Sequence, residues 1–268
     1  MGMIYHYTDA GALINIIRNN TLWASHILHL NDPNEYLLPD RVAREIATEI
    51  GHSISDIYHR GLPHVVCFSK KSDDLNQFRS YANDGKGYAV GFDSQELIEA
   101  LGLDSSVLQE IIYGEDEIKN FLRERLLADK TQWDAKLQTE KEKLEKEGSQ
   151  TSTSGFPVLI RPFPTLEVGI YSCKSKYYQE ESEVRIIISP SEISKSLIVK
   201  YRSRSYKIIP YVELKSDQPL PIKEIIIGPG HENSTRDITI AAIQDLCFDT
   251  QHRNYSVRQS NIDYRPSH

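Results

Sequence analysis

Short apolar segments separated by turns recur along the chain. Their spacing switches between the two-residue period of a strand and the 3.6-residue period of a helix. Residues 3–7 (MIYHY), 21–25 (TLWAS), 64–69 (HVVCFS) and 88–92 (YAVGF) predict short strands. Further strands are predicted at 108–113, 197–200, 207–214, 222–227 and 256–264. Between them, helical spacing places Leu13, Ile16 and Ile17 on one stripe of residues 10–19, capped by Thr8 or Asp9. Val42, Ile46 and Ile50 do the same over 36–50, and Leu75, Phe78 and Tyr81 over 73–82. Residues 96–101 predict a short helix, and Ser234-Thr235 caps another over 236–248. Turns are marked by Leu30 to Glu35, rich in carboxylate and amide groups, and by Asn83-Asp84-Gly85-Lys86-Gly87.

Residues 174–189, KSKYYQEESEVRIIIS, run from crowded charge into a β-branched series that predicts a buried strand. Strand alternation points Glu181, Glu183 and Arg185 one way and Val184, Ile186 and Ile188 the other. Three charges on one face of an apolar strand are costly unless they line a cleft and pair with one another. The plainer reading is a solvated edge strand.

Residues 114–147 change character. Ile118, Phe121, Leu122, Leu126, Trp133, Leu137 and Leu144 recur along a heavily charged run, predicting amphipathic helix in two pieces. A flexible linker, GSQTSTSG, follows at 148–155, and 165–175 is helical or irregular. The whole predicts one domain, 1–268, with a helical insertion at 114–160. About nine short strands with helices between them give an α+β fold of mixed, mostly antiparallel small sheets with peripheral helices.

The composition is that of a globular protein, with 26% charged residues. Net charge is −7, so nucleic acid binding needs a local basic patch. Residues 200–207, KYRSRSYK, are the best one, and a solvated loop between strands explains them as well. Cys67 and Cys247 sit among apolar neighbours and read as buried small hydrophobes. Three dissimilar cysteines imply no disulfide framework, and there is no apolar run of transmembrane length and no signal peptide. A soluble cytoplasmic protein is expected. Nine histidines include the pair His26 and His29, but no zinc spacing, so no metal site is expected. There is no Gly-x-Ser-x-Gly and no activated Cys.

An ordered set of short motifs resembles the bacterial domain of unknown function 2971. It comprises Tyr5-His6-Tyr7-Thr8, Leu22-Trp23-Ala24-Ser25, Asn31-Asp32-Pro33 with Glu35, and Cys67-Phe68-Ser69 with Tyr81. Gly87 to Phe92, Glu181-x-Glu183-x-Arg185, Glu224 to Pro229 and Ser260-x-Ile262-x-Tyr264-Arg265 complete it. That family is in turn similar to ADP-ribosyltransferases of the His-Tyr-Glu type, which split NAD between nicotinamide and ribose. The resemblance implies their split sheet, with NAD as substrate and no metal. It makes His6 the ribose contact, with Tyr7 and Thr8 beside it, and Tyr81 the aromatic that stacks on nicotinamide. Glu183 becomes the catalytic carboxylate, Glu181 orients the acceptor or ribose, and Arg185 holds the carboxylates. Asn31, Asp32 and Glu35 close one wall, and Ser69 sits on its strand as the Ser of the toxin-like branch does. A carboxylate fixed beside an oxocarbenium-like transition state lowers its barrier, which is the chemistry this set would serve.

Two functions follow as expectations. One is an ADP-ribosyltransferase or NAD glycohydrolase, a toxin or phage-defence effector, with protein, nucleic acid or water as acceptor. The other is a non-catalytic module on the same fold that binds a nucleotide-like ligand or a protein. The amphipathic face at 114–147 must be buried against something, which makes it the expected seat of a regulatory partner or a second copy.

Overall fold

Strand β1 (Met3–Thr8) and strand β4 (Tyr88–Asp93) pair antiparallel along their full length, from Met3↔Asp93 to Thr8↔Tyr88. The computed structural model to which they belong describes residues 2–32, 35–50, 62–146, 164–190, 193, 197–204 and 206–266. The expected linker at 148–155 lies outside these residues, as does Pro33 of the expected turn. The chain divides into two compact units. The first is built from Met1–Asn31, Pro63–Ile111 and Tyr178–His268, the second from Asp32–Leu62 and Ile112–Tyr177.

The first unit holds a ten-stranded sheet. Its strands besides β1 and β4 are β2 (Thr21–His26), β3 (His64–Ser69), β5 (Leu108–Glu110), β8 (Glu183–Ile188), β9 (Lys200–Arg204), β10 (Lys207–Lys215), β11 (Ile222–Ile227) and β12 (Ser256–Gln259). The order β12-β11-β4-β1-β3-β2-β10-β9 forms the main path, and β8 and β5 branch from β3. All pairings are antiparallel except β11 with β12. The fold is α+β, with a mostly antiparallel sheet and helices at its periphery.

The branch at β3 shapes everything that follows. One edge of β3 pairs with β8 over its full length, from His64↔Ile188 to Ser69↔Glu183. The other edge is shared: β1 takes Ser69 through Tyr5, and β2 takes Val65 and His64 through Ser25 and His26. Between those pairs, at Cys67, β1 and β2 part. His6 fills the fork, its Nδ1 bonded to the Cys67 carbonyl oxygen at 2.9 Å.

Alternation along the strands sorts the two faces of the sheet. One face buries Ile4, Val66, Phe68, Val90, Phe92, Val184 and Ile186. Against it pack α1 (Ala10–Asn19), α4 (Ser94–Ala100) and α7 (Arg236–Asp249), through Ile16, Ile17, Leu97, Ile243 and Cys247. Asp9 caps α1, its Oδ1 accepting the Ala12 N–H at 2.8 Å. The opposite face carries Tyr5, Tyr7, Ala89 and Ile226 under α3 (Leu75–Tyr81), which presents Phe78.

The second unit contains α2 (Leu37–Glu49), α5 (Glu115–Lys146), α6 (Pro164–Ile170) and the two-stranded sheet of β6 (Ile112–Tyr113) and β7 (Cys173–Lys174). The expected break in 114–147 does not occur: α5 is one helix. Residues 115–146 contain neither Gly nor Pro and are rich in Glu, Lys and Leu, so nothing interrupts the backbone ladder. Its stripe Ile118, Leu122 and Leu126 is fully buried.

Other expectations need correction. The single strand expected at 108–113 is two strands in different sheets, because Ile111 N–H bonds Glu183 while Ile112 N–H bonds Ser172. Residues 197–199 are not strand, and KYRSRSYK, read as a loop, supplies β9, a turn and the start of β10. β9 forms by pairing with β10, from Lys200↔Tyr211 to Arg204↔Lys207, so its place is set by the partner strand more than by its own residues. The last strand stops at Gln259, because Asp73 takes the Ser260 hydroxyl at 2.6 Å and the Asn261 N–H at 2.9 Å. Thr235 precedes α7 but makes no side-chain cap.

Candidate functional site

Ser69 and Glu183 face each other across β3 and β8, and Cys67 faces Arg185. These four share the sheet face of Tyr5, which pairs with Ser69 from the other side. Glu183 and Arg185, two apart on one strand, form a bidentate pair: Arg185 Nε donates to Oε1 at 2.7 Å and Nη2 to Oε2 at 2.9 Å. Both are buried, Arg185 completely. The expected pairing of charges on one strand face therefore holds for these two residues.

Glu181 is elsewhere. It ends a short 3-10 turn, Lys176–Glu181, and is not part of β8. Ser182 separates the two with a left-handed backbone, φ 46°. That turn is fastened at several points. The Ser69 hydroxyl donates to the Glu181 carbonyl at 2.7 Å, and Lys70 N–H donates to the Ser182 carbonyl at 3.0 Å. Lys71 reaches Glu180 at 2.8 Å. Glu181 is consequently half-buried and fixed, with its carboxylate turned to α3.

From the end of α3, the Tyr81 hydroxyl donates to Glu181 Oε1 at 2.7 Å. Asn31 Nδ2 donates in turn to the Tyr81 oxygen at 2.6 Å. The result is a directed chain, Asn31 to Tyr81 to Glu181. Burial, followed by the nearby Glu181 and Glu183 charges, holds the Tyr81 hydroxyl in its protonated form far above the ordinary range. It is therefore a donor that keeps its proton, and it serves the carboxylate as an orienting group.

The structure thus brings together Asn31, Ser69, Tyr81, Glu181, Glu183 and Arg185 from the expected set. His6 stands apart from them. It pairs with Val90, not Gly91, which places it on the face opposite Tyr5 and Ser69. Its ring lies 5.7 Å from Phe68. Burial lowers its pKa, and the Cys67 carbonyl opposes that shift. Because Nδ1 must donate to the carbonyl oxygen, the imidazole is the neutral Nδ1–H tautomer. Tyr7 shares the site's face, but its hydroxyl is committed to the start of α3, donating to the Lys71 carbonyl at 2.8 Å and accepting from Asp74 N–H at 3.2 Å. Its ring meets Phe78 edge-on at 4.9 Å. Thr8 is buried. Asp32 and Glu35 belong to the second unit, where Glu35 is buried 3.7 Å from the equally buried Lys174.

Two residues on the site's face were not anticipated in any role there. Cys67 is half-buried on that face, and the expectation of a buried hydrophobe fails for it. Alternation with Ser69 two residues on was the signal that carried this. Tyr5 occupies the position beside Ser69 and is surrounded by Glu224, Ser72 and Arg258, with burial and Glu224 raising its pKa. Among the described residues, no group of three or more His, Cys, Asp or Glu is placed to hold a metal ion. No helix among them is long and apolar enough to cross a membrane.

Residues 77–186 match the model of a family described as protein of unknown function (DUF2971). The stretch that is similar to this family runs from α3 to the middle of β8 and takes in Tyr81, Glu181, Glu183 and Arg185. His6, Asn31 and Ser69 precede it. Neither a curated protein nor a solved structure matches the chain.

Proposed function

We propose that the first unit carries an NAD-cleaving glycosyl-transfer site, an ADP-ribosyltransferase or NAD glycohydrolase, with Glu181 as the working carboxylate. The observation that carries this reading is the Tyr81–Glu181 bond of 2.7 Å on a turn fastened by Ser69. A half-buried carboxylate that cannot swing away is suited to steady a developing positive charge, because little reorganisation is needed when the charge appears. Glu183 is less suited to that role. Arg185 already occupies both its oxygens and neutralises it.

In the proposed reaction, the bond between ribose C1′ and the nicotinamide nitrogen breaks, and its electron pair leaves with nicotinamide. The positive charge of the pyridinium passes to the ribosyl oxocarbenium, which faces Glu181. An acceptor O–H then adds to C1′ and releases its proton to solvent or to the carboxylate. Tyr81 orients Glu181, and the Glu183–Arg185 pair forms the floor. His6 supports the fork in the sheet and has no part in the chemistry.

One observation favours the second reading, a binding module: Tyr81, Asn31 and Glu181 already satisfy one another. Incubation with NAD and detection of free nicotinamide separates the two. Glu181→Gln should lose about 100-fold or more of the rate, and Tyr81→Phe should lose less. NAD binding without nicotinamide release supports the module, and neither binding nor release refutes the enzyme reading.

A further inference from the structure

Three imidazoles gather where β2 ends and β3 begins. His26 and His64 are partners across that ladder, with rings edge-on at 5.1 Å. The His29 ring meets that of His26 at 5.8 Å. His64 is 4% exposed, and among the described residues neither of its ring nitrogens has a hydrogen-bond partner. Packing alone gives no reason for an imidazole there, because an apolar side chain would avoid burying two polar atoms without partners.

His26 has a second task. Its Nδ1 accepts the Leu28 N–H at 3.3 Å and so caps a short 3-10 turn, Ile27–His29. The turn is also held by Ile27 N–H on the Pro63 carbonyl at 3.1 Å and by Leu30 N–H on the Ile27 carbonyl at 3.2 Å. Asn31 comes two residues after His29, and it is the residue that donates to the Tyr81 oxygen at 2.6 Å. The turn therefore sets the place from which the chain Asn31 to Tyr81 to Glu181 begins. An imidazole nitrogen accepts a hydrogen bond only while it carries no proton. The cap thus requires a neutral His26 with its proton on Nε2, and a proton on Nδ1 breaks it. Around this pair β3 brings His64, the turn brings His29, and β8 brings the apolar Ile188 opposite His64. Among the described residues, the charges that act on His26 and His64 come from these imidazoles and from no carboxylate. Burial, and then that repulsion, keep both rings neutral near pH 7.

We propose that the His26–His29–His64 cluster is an acid-released latch on the candidate site. Protonation of His26 removes the cap and opens the turn 27–29, water then reaches His64, and Asn31 leaves Tyr81. The latch is closed near neutral pH and opens below about pH 6.5, where an imidazole released to water takes up a proton. It regulates the Tyr81–Glu181 arrangement whatever ligand the site takes. Its readout is spectroscopic, so it is judged apart from NAD cleavage.

The test is an NMR titration of the full chain from about pH 8 to about pH 5, with circular dichroism to show that the chain stays folded. The Leu28 backbone amide and the Asn31 side-chain amide should move upfield together, at the midpoint of the His26 ring. The amides of Phe92 in β4 and Leu97 in α4 should stay in place. His26→Asn keeps an acceptor for the Leu28 N–H but has no ring to titrate, so both peaks should hold still for as long as the chain is folded. His26→Phe offers no acceptor and should put both peaks at their acid positions already at about pH 8. Three results overturn the proposal: a Leu28 shift without an Asn31 shift, equal movement in His26→Asn, or no movement before the chain unfolds.

Discussion

Arg185 is a guanidinium fully buried in the middle of a strand, held to Glu183 by two bonds of 2.7 and 2.9 Å. Its removal takes from a buried carboxylate the cation that meets both its oxygens, which costs about 3–5 kcal/mol. Arg185→Met should therefore lower the urea midpoint strongly. The double variant Glu183→Leu with Arg185→Met should recover most of that loss, because no charge then remains to be desolvated. Additive losses from the two single variants would show that the pair is not the source of the cost. At this scale the sequence carried part of the site. The two-residue spacing of Glu183 and Arg185 put them on one face, and that is how they sit. It misled for Glu181, because alternation assumes an unbroken strand and Ser182 turns left-handed between them. It also could not show that His6 and Ser69 take opposite faces, which depends on the register Tyr5↔Ser69 between strands far apart in sequence.

The elements themselves were more legible than their pairing. Helices with a clear stripe and a cap, such as α1 with Asp9, follow from local rules. The fork at β3 does not, because it arises from two strands competing for one edge. Glycines at the end of the β4–β11 ladder show another constraint that only packing reveals. Gly228 N–H bonds the Gly87 carbonyl and Gly230 N–H bonds the Gly85 carbonyl, both at 2.8 Å. A Cβ on Gly228 would come within 2.3 Å of the Gly85 oxygen and 2.8 Å of the Gly87 oxygen. Both are backbone atoms, so the strand ends would have to separate. Gly228→Ala should cost about 1–3 kcal/mol, read as a lower denaturation midpoint. Gly2→Ala, with nothing within 4 Å, should cost nothing measurable. Equal midpoints for the two variants would mean that the ladder ends yield freely.

At the scale of the whole molecule, five histidines among the described residues make stability sensitive to acid. His6, His26, His64, His231 and His252 all have pKa values lowered by burial, and that of His64 is lowered to about 4. His26 and His29 add to the His64 shift, with the His26 and His64 rings edge-on at 5.1 Å. Neither His64 ring nitrogen has a hydrogen-bond partner among the described residues. In the unfolded chain each imidazole accepts a proton near pH 6.5, whereas the folded chain refuses it until lower pH. Between those values the unfolded state binds more protons, so stability falls as pH drops, and it is fully present above pH 6.5. For His64 the loss begins near 6.5 and is complete near 4. Urea midpoints measured from pH 8 downward should be flat at first and then decline below about 6.5. The pKa of Asp104 is shifted downward by its hydrogen bonds to Ser106. A lowered carboxylate loses stability only as pH falls through the range below its own ordinary value, so Asp104 does not account for a decline that starts near 6.5. The buried imidazoles account for a decline in that range. His64→Gln tests this directly: it removes one proton from the difference between the states and should make the decline shallower, while leaving the plateau above pH 6.5 flat. A decline of the same steepness in that variant would move the acid sensitivity to other groups.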